Sequence, residues 1–337
     1  MKDIKRIFLI QTAFPGDVVM STPLPRALKL LYPEAELDIV LIPQTRILYE
    51  HNPHISHIYL FDKRDPLRRW PALIRLIRQL RQRRYDLALS VHVSFTSSLI
   101  MLLSGAKIRL GYPRQKFTTL SVKLPKGVPV VKRGLLLLKA LSDRDFGHQT
   151  EIFVPVDTQT KVEAFLQARH LDPGKLVAIA PGSVWATKRW LPGHYSSLVA
   201  KLYEYGYQAV AIGGKEDAVL CGRIIEDSRT PAVNAAGELS LLGSAWLIRN
   251  CRLLVSNDSA PLHLANAVQT PVLGIFGPTV KSFGCYPFRE GDRVLEINLD
   301  CRPCGKHGHQ SCPRRHFRCM REISPQTALA AALEMLR

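Results

Sequence analysis

Residues 257–263 read Asn-Asp-Ser-Ala-Pro-Leu-His and stand between an apolar run, Arg252 to Ser256, and a segment of helical character, Leu262 to Val268. At a strand-to-helix turn the first N–H groups of the helix lack intrahelical partners and carry the positive end of its dipole, which favours an anion. Asp258 and Ser259 are also good caps and Pro261 suits a first helical turn, so a plainly capped structural helix accounts for the same residues. Further loops follow apolar runs in the same way. Pro181-Gly182-Ser183-Val184-Trp185-Ala186-Thr187-Lys188-Arg189-Trp190 sets a glycine turn, two hydroxyls and two cations side by side. That set suits a diphosphate, although an ordinary basic loop over packed tryptophans has the same composition. Gly16-Asp17 projects a carboxylate after the first apolar run, either as the cap of a helix beginning at Val18 or as a general base. Phe276-Gly277-Pro278-Thr279 closes another such turn, and no loop matches a Walker sequence or the glycine fingerprint of dinucleotide folds.

The elements that must hold these loops alternate as short apolar runs and longer periodic segments, the pattern of a parallel α/β sheet. Strands are predicted at Arg6 to Ile10, Glu36 to Leu41, Tyr85 to Val91 and Lys107 to Leu110, with a helix from about Val18 to Leu31. Between residues 112 and 150 the pattern loosens, and Glu151 to Asp157 reads as a crossing segment. The theme then restarts: strand Leu176 to Ala180, loop to Trp190, helix to Tyr205, strand Gln208 to Ile212, a Gly213-Gly214 turn, helix to Asp227, and later strand Val272 to Phe276. Two α/β halves are expected, residues 1–155 and 156–324, as Rossmann-like domains facing a central cleft. In open α/β sheets ligands bind beyond the carboxyl ends of the strands, where all of the singled-out loops fall.

At 337 residues with 46% apolar content, the chain can bury a large core, and its formal charge of +18 points to acidic partners: nucleic acid, an anionic membrane surface or a phosphorylated substrate. No recognisable nucleic-acid motif or interleaved aromatic platform supports the first of these. No apolar run approaches the ~18 residues that span a bilayer, so a soluble cytoplasmic protein is expected. Residues 63–84 are rich in Lys and Arg while Leu67, Trp70, Leu73, Ile74, Ile77 and Leu80 recur at helical spacing. They predict a helix with its apolar stripe on the sheet and a cationic face able to meet anionic lipid headgroups without insertion. Of seven cysteines, four crowd together as C-x2-C-x7-C-x6-C at Cys301, Cys304, Cys312 and Cys319, with His307, His309 and His316 nearby. The spacing fits a structural zinc site or reduced structural thiols, and its second half lacks the C-x2-C of a strong zinc ribbon.

Taken in order, Gly16-Asp17-Val18-Val19-Met20-Ser21-Thr22-Pro23-Leu24, Tyr85-Asp86-Leu87-Ala88, Pro181 to Trp190, Asn257 to His263 and Phe276 to Thr279 closely resemble the heptosyltransferases of glycosyltransferase family 9. The cysteine segment resembles the heptosyltransferase II type in particular. The resemblance implies a GT-B fold and inverting transfer of heptose from ADP-heptose to the anionic inner core of lipopolysaccharide, at the cytoplasmic face of the inner membrane and with no metal in the reaction step. It implies Asp17 as the general base, whose free pKa of about 3.9 makes desolvation by the bound acceptor part of the task. Lys188 matches the lysine that neutralises the departing diphosphate. Asp258, Ser259, Ala260 and His263 match the donor turn, joined by Gly16, Ser183 and Thr187, and Glu216 is placed like the acid on the donor ribose. Ala260 departs from the family's usual glycine, which is harmless only with helical dihedrals there. The last stretch, residues 325–337, is expected as a helix returning to the N-terminal domain.

Overall fold

Apolar runs bounded by turn residues become the inner strands of two parallel sheets, each run too short to be a helix and buried on both faces by the helices that connect it. The computed structural model describes residues 4–62 and 69–337, and the chain divides into two units, Met1–Phe153 and Val154–Arg337.

In the first unit β1 (Arg6–Gln11), β2 (Glu36–Leu41), β3 (His57–Leu60), β4 (Leu87–Ser90), β5 (Ile108–Gly111) and β6 (Leu120–Ser121) form one sheet ordered β3-β2-β1-β4-β5-β6. Its register sets Ile7 beside both Leu37 and Leu87. The second unit repeats the plan with β7 (Leu176–Ala180), β8 (Gln208–Ala211), β9 (Val233–Asn234), β10 (Leu253–Asn257), β11 (Val272–Phe276) and β12 (Arg293–Glu296), ordered β12-β11-β10-β7-β8-β9. Both are the Rossmann order. Strand order reverses between β1 and β4 in one unit and between β7 and β10 in the other, and such a switch point opens a crevice at the carboxyl ends of the two strands. β7, β10 and β11 are buried along their whole length.

Three segments differ from the sequence reading. The single helix expected from Val18 is two, Pro15–Met20 and Pro23–Leu31. Ser21 and Thr22 turn their hydroxyls back onto the carbonyls of Val18 (2.7 Å) and Val19 (2.8 Å), and Pro23 has no N–H to continue the ladder. The basic helix runs over Arg69–Arg83, while the expectation for residues 63–68, Leu67 included, lies outside the described residues. It buries Leu73, Leu76 and Leu80, but Trp70 and Ile74, expected in the buried stripe, stand 58% and 51% exposed among the arginines. The final helix, Pro325–Leu336, packs on the helix Pro192–Glu204 and on β10, both of the second unit. It buries Ala328, Ala332 and Leu336 in the same core as Trp190 and Tyr195.

Candidate active site

The switch point of the second unit is where the sequence-predicted groups meet. Asn257 ends β10 fully buried, and its side-chain amide ties down both ends of the loop that leaves β7. Its Oδ1 accepts the Trp190 N–H (3.0 Å) and the Tyr195 hydroxyl (3.2 Å), while its Nδ2 donates to the Pro181 carbonyl (2.8 Å). Between those anchors a short 3-10 turn, Ala186–Lys188, carries Lys188 inward. Lys188 Nζ lies 2.6 Å from Asp258 Oδ2, and Thr279 Oγ1, from the loop after β11, donates to the same oxygen at 2.7 Å. The two charged side chains are only 13% and 8% exposed. Asp258 is therefore the counter-ion of Lys188 and not a helix cap.

The helix that follows is Ala260–Ala267, with Ser259 extended at its N-cap and making no side-chain cap bond. Pro261 has no N–H and the Leu262 N–H is taken by the Ser259 carbonyl at 3.2 Å, so the Ala260 N–H remains as the helix-end donor. Ala260 begins the helix and is not among the residues with positive φ, so the backbone there does not call for glycine; its methyl group still narrows the approach. His263 is buried one turn on, and its Nδ1 has no hydrogen-bond partner among the described residues. Burial lowers its pKa to about 4, with Lys188 adding to the shift and Asp258 opposing it. The imidazole is neutral at physiological pH.

The remaining predicted donor residues divide. Ser183 is half-buried on the loop after β7, its hydroxyl 3.4 Å from the Trp185 N–H and its carbonyl accepting Arg189 Nε at 2.8 Å. Thr187 is buried, and both its N–H (3.0 Å) and its hydroxyl (2.9 Å) go to the His309 carbonyl. Glu216 is exposed, on the turn Lys215–Asp217 after β8, at the same sheet edge. The half-buried acid of that turn is Asp217, which accepts the Gly214 N–H at 3.1 Å and whose pKa is raised by partial burial. A Cβ on Gly182 would strike the Asp217 carboxylate, so the glycine turn of one loop is shaped by the acid of the next.

Gly16 and Asp17 belong to the first unit. They lie beyond β1 on the helix Pro15–Met20, with Asp17 in its first turn and Phe14 at the N-cap. Asp17 is thus not the cap. Gln11, buried at the end of β1, donates Nε2 to the Asp17 carbonyl at 3.3 Å. On the other side of this switch point, beyond β4, His92 Nδ1 lies 3.3 Å from Thr12 Oγ1, and Ser90 Oγ donates to the His92 carbonyl at 3.0 Å.

Each unit thus gathers polar and titratable side chains at its own switch point, as enzymes with a Rossmann order do. A model of glycosyltransferase family 9 (heptosyltransferase) matches residues 73–313, well over half of the chain. The chain belongs to glycosyltransferase family 9. Lipopolysaccharide heptosyltransferase 3 of Escherichia coli is 29% identical to this glycosyltransferase over 285 residues, which cover 80% of this chain and 83% of that protein. Among solved structures, a family 9 glycosyl transferase from Veillonella parvula superposes with a TM-score of 0.89 at 22% identity, covering 100% of this chain and 98% of its own. The ADP-heptose lipopolysaccharide heptosyltransferase II of E. coli superposes at 0.78 with 24% identity, covering 98% of each chain. These likenesses bear out the GT-B fold.

In this family 9 enzyme the cysteine segment holds a position that its spacing alone does not disclose. Cys301, Cys304 and Cys312 are half-buried and Cys319 is buried, all as free thiols, with Cys301 Sγ 3.7 Å from His316 Nε2. Among the described residues no group of three or more His, Cys, Asp or Glu side chains is arranged to hold a metal. Burial raises the Cys304 thiol, with Cys301 and Cys312 adding to the rise, and pushes that of Cys319 up to about 11. Sequence reasoning missed Thr279 as the second partner of Asp258, and missed His309, which engages Thr187. It also missed His92, whose signal was present as the first ionisable residue past a predicted strand end.

Proposed function

We propose that this family 9 enzyme moves heptose from ADP-heptose onto an inner-core sugar of lipopolysaccharide, inverting the anomeric centre. The observation that carries the reading is the Lys188, Asp258 and Thr279 cluster at the switch point of the second unit. It is a largely desolvated cation beside a helix end, the combination that a diphosphate leaving group requires. The acceptor hydroxyl oxygen attacks the anomeric carbon, the bond to the β-phosphate oxygen breaks, and its electron pair leaves with ADP. Asp17 takes the hydroxyl proton. Because charge on the departing phosphate grows as the bond breaks, Lys188 acts more strongly in the transition state than in the ground state. Neutral His263 has a ring proton to donate nearby, and Glu216 sits at the strand end suited to the ribose hydroxyls. With Lys188 and the Ala260 N–H to meet the diphosphate, the proposed transfer step calls for no metal.

The donor assignment draws support from the E. coli heptosyltransferase II, whose name specifies ADP-heptose; other nucleotide sugars are the alternative. Among the described residues no helix is long and apolar enough to cross a membrane. The reading places the enzyme peripherally at the cytoplasmic face of the inner membrane, where the acceptor lipid is anchored. The exposed Trp70 and Ile74, among the arginines of Arg69–Arg83, suit contact with anionic headgroups there. Incubation with ADP-heptose and lipopolysaccharides of defined truncated cores, read by mass spectrometry, tests the reading. One added heptose on a single core type is expected; transfer only from another nucleotide sugar would overturn the donor assignment. ADP-heptose should raise the Tm, while duplex DNA should bind only weakly and with steep salt dependence.

A further inference from the structure

Arg302 sits between two cysteines, is 5% exposed at its side chain, and spends its whole guanidinium inside the protein. Nε donates to the Gly277 carbonyl and Nη1 to that of Ile297, while Nη2 reaches the Thr279 carbonyl and Glu296 Oε2, each at 2.8 Å. Two of those carbonyls belong to the loop after β11, and the Cys304 N–H holds a third, that of Pro278, at 3.0 Å. The loop is pinned at three successive residues, and its Thr279 hydroxyl donates to the Asp258 oxygen that also holds Lys188. A few residues on, the same segment grips the other donor loop. His309 accepts both donors of Thr187 and returns its own N–H to the Thr187 hydroxyl at 2.8 Å, and Gln310 donates Nε2 to the Val184 carbonyl at 3.1 Å. Gly308, at φ 91°, lets the backbone lie against Lys188 and Trp185, where a Cβ would come within 3.3 Å of each.

We infer that residues 302–310 form a brace that sets the position of Lys188, with Arg302 as the positioning residue that acts through Thr279 and Asp258. Arg302 touches no reacting group; it fixes where the diphosphate cation sits. A planar guanidinium serving three backbone carbonyls cannot be replaced by an ammonium, which is a point donor on a flexible stem. This inference rests on the reading of Lys188 as the diphosphate ligand.

The test uses the full chain with ADP and inorganic pyrophosphate as probes in titration calorimetry, beside donor and acceptor KM. For Arg302→Lys, about tenfold weaker binding of both probes is expected, with donor KM raised and acceptor KM unchanged. Thr279→Val, which keeps shape and deletes one hydroxyl, should give about three- to tenfold weaker binding with the Tm little changed. Because the two act along one path, the double variant should bind no worse than Arg302→Lys alone. A merely structural Arg302 would lower the Tm and the active fraction while probe affinity of the folded protein stayed at the wild-type value, and that outcome overturns the inference, as does simple additivity of the two changes. If the wild type binds pyrophosphate but not ADP, the nucleotide assignment falls and the brace stands or falls on the pyrophosphate data. If it binds neither, both fall.

Discussion

Lys188 neutralises Asp258 in the folded chain and, on the proposed reading, also meets the diphosphate; paired substitutions can separate the two roles. The two side chains keep 13% and 8% of their exposure, so neither charge is well solvated when alone. Removing one partner of a buried pair costs roughly 3–5 kcal/mol. Since Thr279 still donates to Asp258, Lys188→Met falls at the low end, about 3 kcal/mol. The double variant Lys188→Met with Asp258→Asn removes both charges and leaves an amide oxygen for Thr279, so stability should return to within about 1 kcal/mol of wild type. ADP affinity should not return with it. A lost charge-assisted contact of about 2–3 kcal/mol corresponds to roughly 30- to 150-fold weaker binding in either variant. Urea unfolding gives the first quantity and titration calorimetry the second. Recovery of ADP affinity in the double variant would show that the lysine serves only its neighbouring carboxylate, and the argument for a diphosphate ligand would fail.

Three further outcomes follow from the same structure. Asp17→Asn should keep ADP affinity and lose at least about 100-fold in turnover; near-normal turnover would remove Asp17 from the role of base. His263 has a folded pKa of about 4 against about 6.5 unfolded. Above the unfolded value the ring is neutral in both states; below it the unfolded chain takes up a proton that the native state refuses, so by about pH 4.5 stability should fall by roughly 2–3 kcal/mol. His263→Gln should flatten that part of the urea-derived curve, and an unchanged slope would assign it to other groups. Metal analysis of the purified protein should find less than one zinc per chain, because Cys319 is packed into the apolar core of the second unit and, among the described residues, no group of three or more His, Cys, Asp or Glu side chains is arranged to hold a metal; stoichiometric zinc whose chelation lowers the Tm would refute this.

Among the described residues, all eight inner strands of the two sheets were legible as apolar runs, and all four strands that were not are sheet edges: β3, β6, β9 and β12. An edge strand is covered on fewer sides, so its residues need not be apolar; β12 reads Arg-Val-Leu-Glu and has no buried residue. Two of the edges are two residues long, below any periodic signal. The short helices around Ser21 and Thr22 were misread for a related reason, since Pro23 and Pro25 suit a helix start as readily as they stop one.

The site was legible where chemistry is local and illegible where it is shared. A strand-end loop announces its hydroxyls and cations, so Lys188, Thr187 and Asp258 could be singled out from composition and order. What such a loop cannot announce is how far those groups are already engaged. Lys188 and Asp258 meet across 70 residues and Thr187 and His309 across 122, and neither pairing leaves a pattern in the chain. Those pairings change the roles. Thr187 gives its donors to the brace, so it shapes the loop more than it greets a phosphate. Lys188 carries a counter-ion, so the diphosphate of the proposed donor would have to share or displace Asp258. On the proposed reading, the same carboxylate that weakens the ground-state hold on the donor holds the lysine in place for the moment when charge builds on the departing ADP.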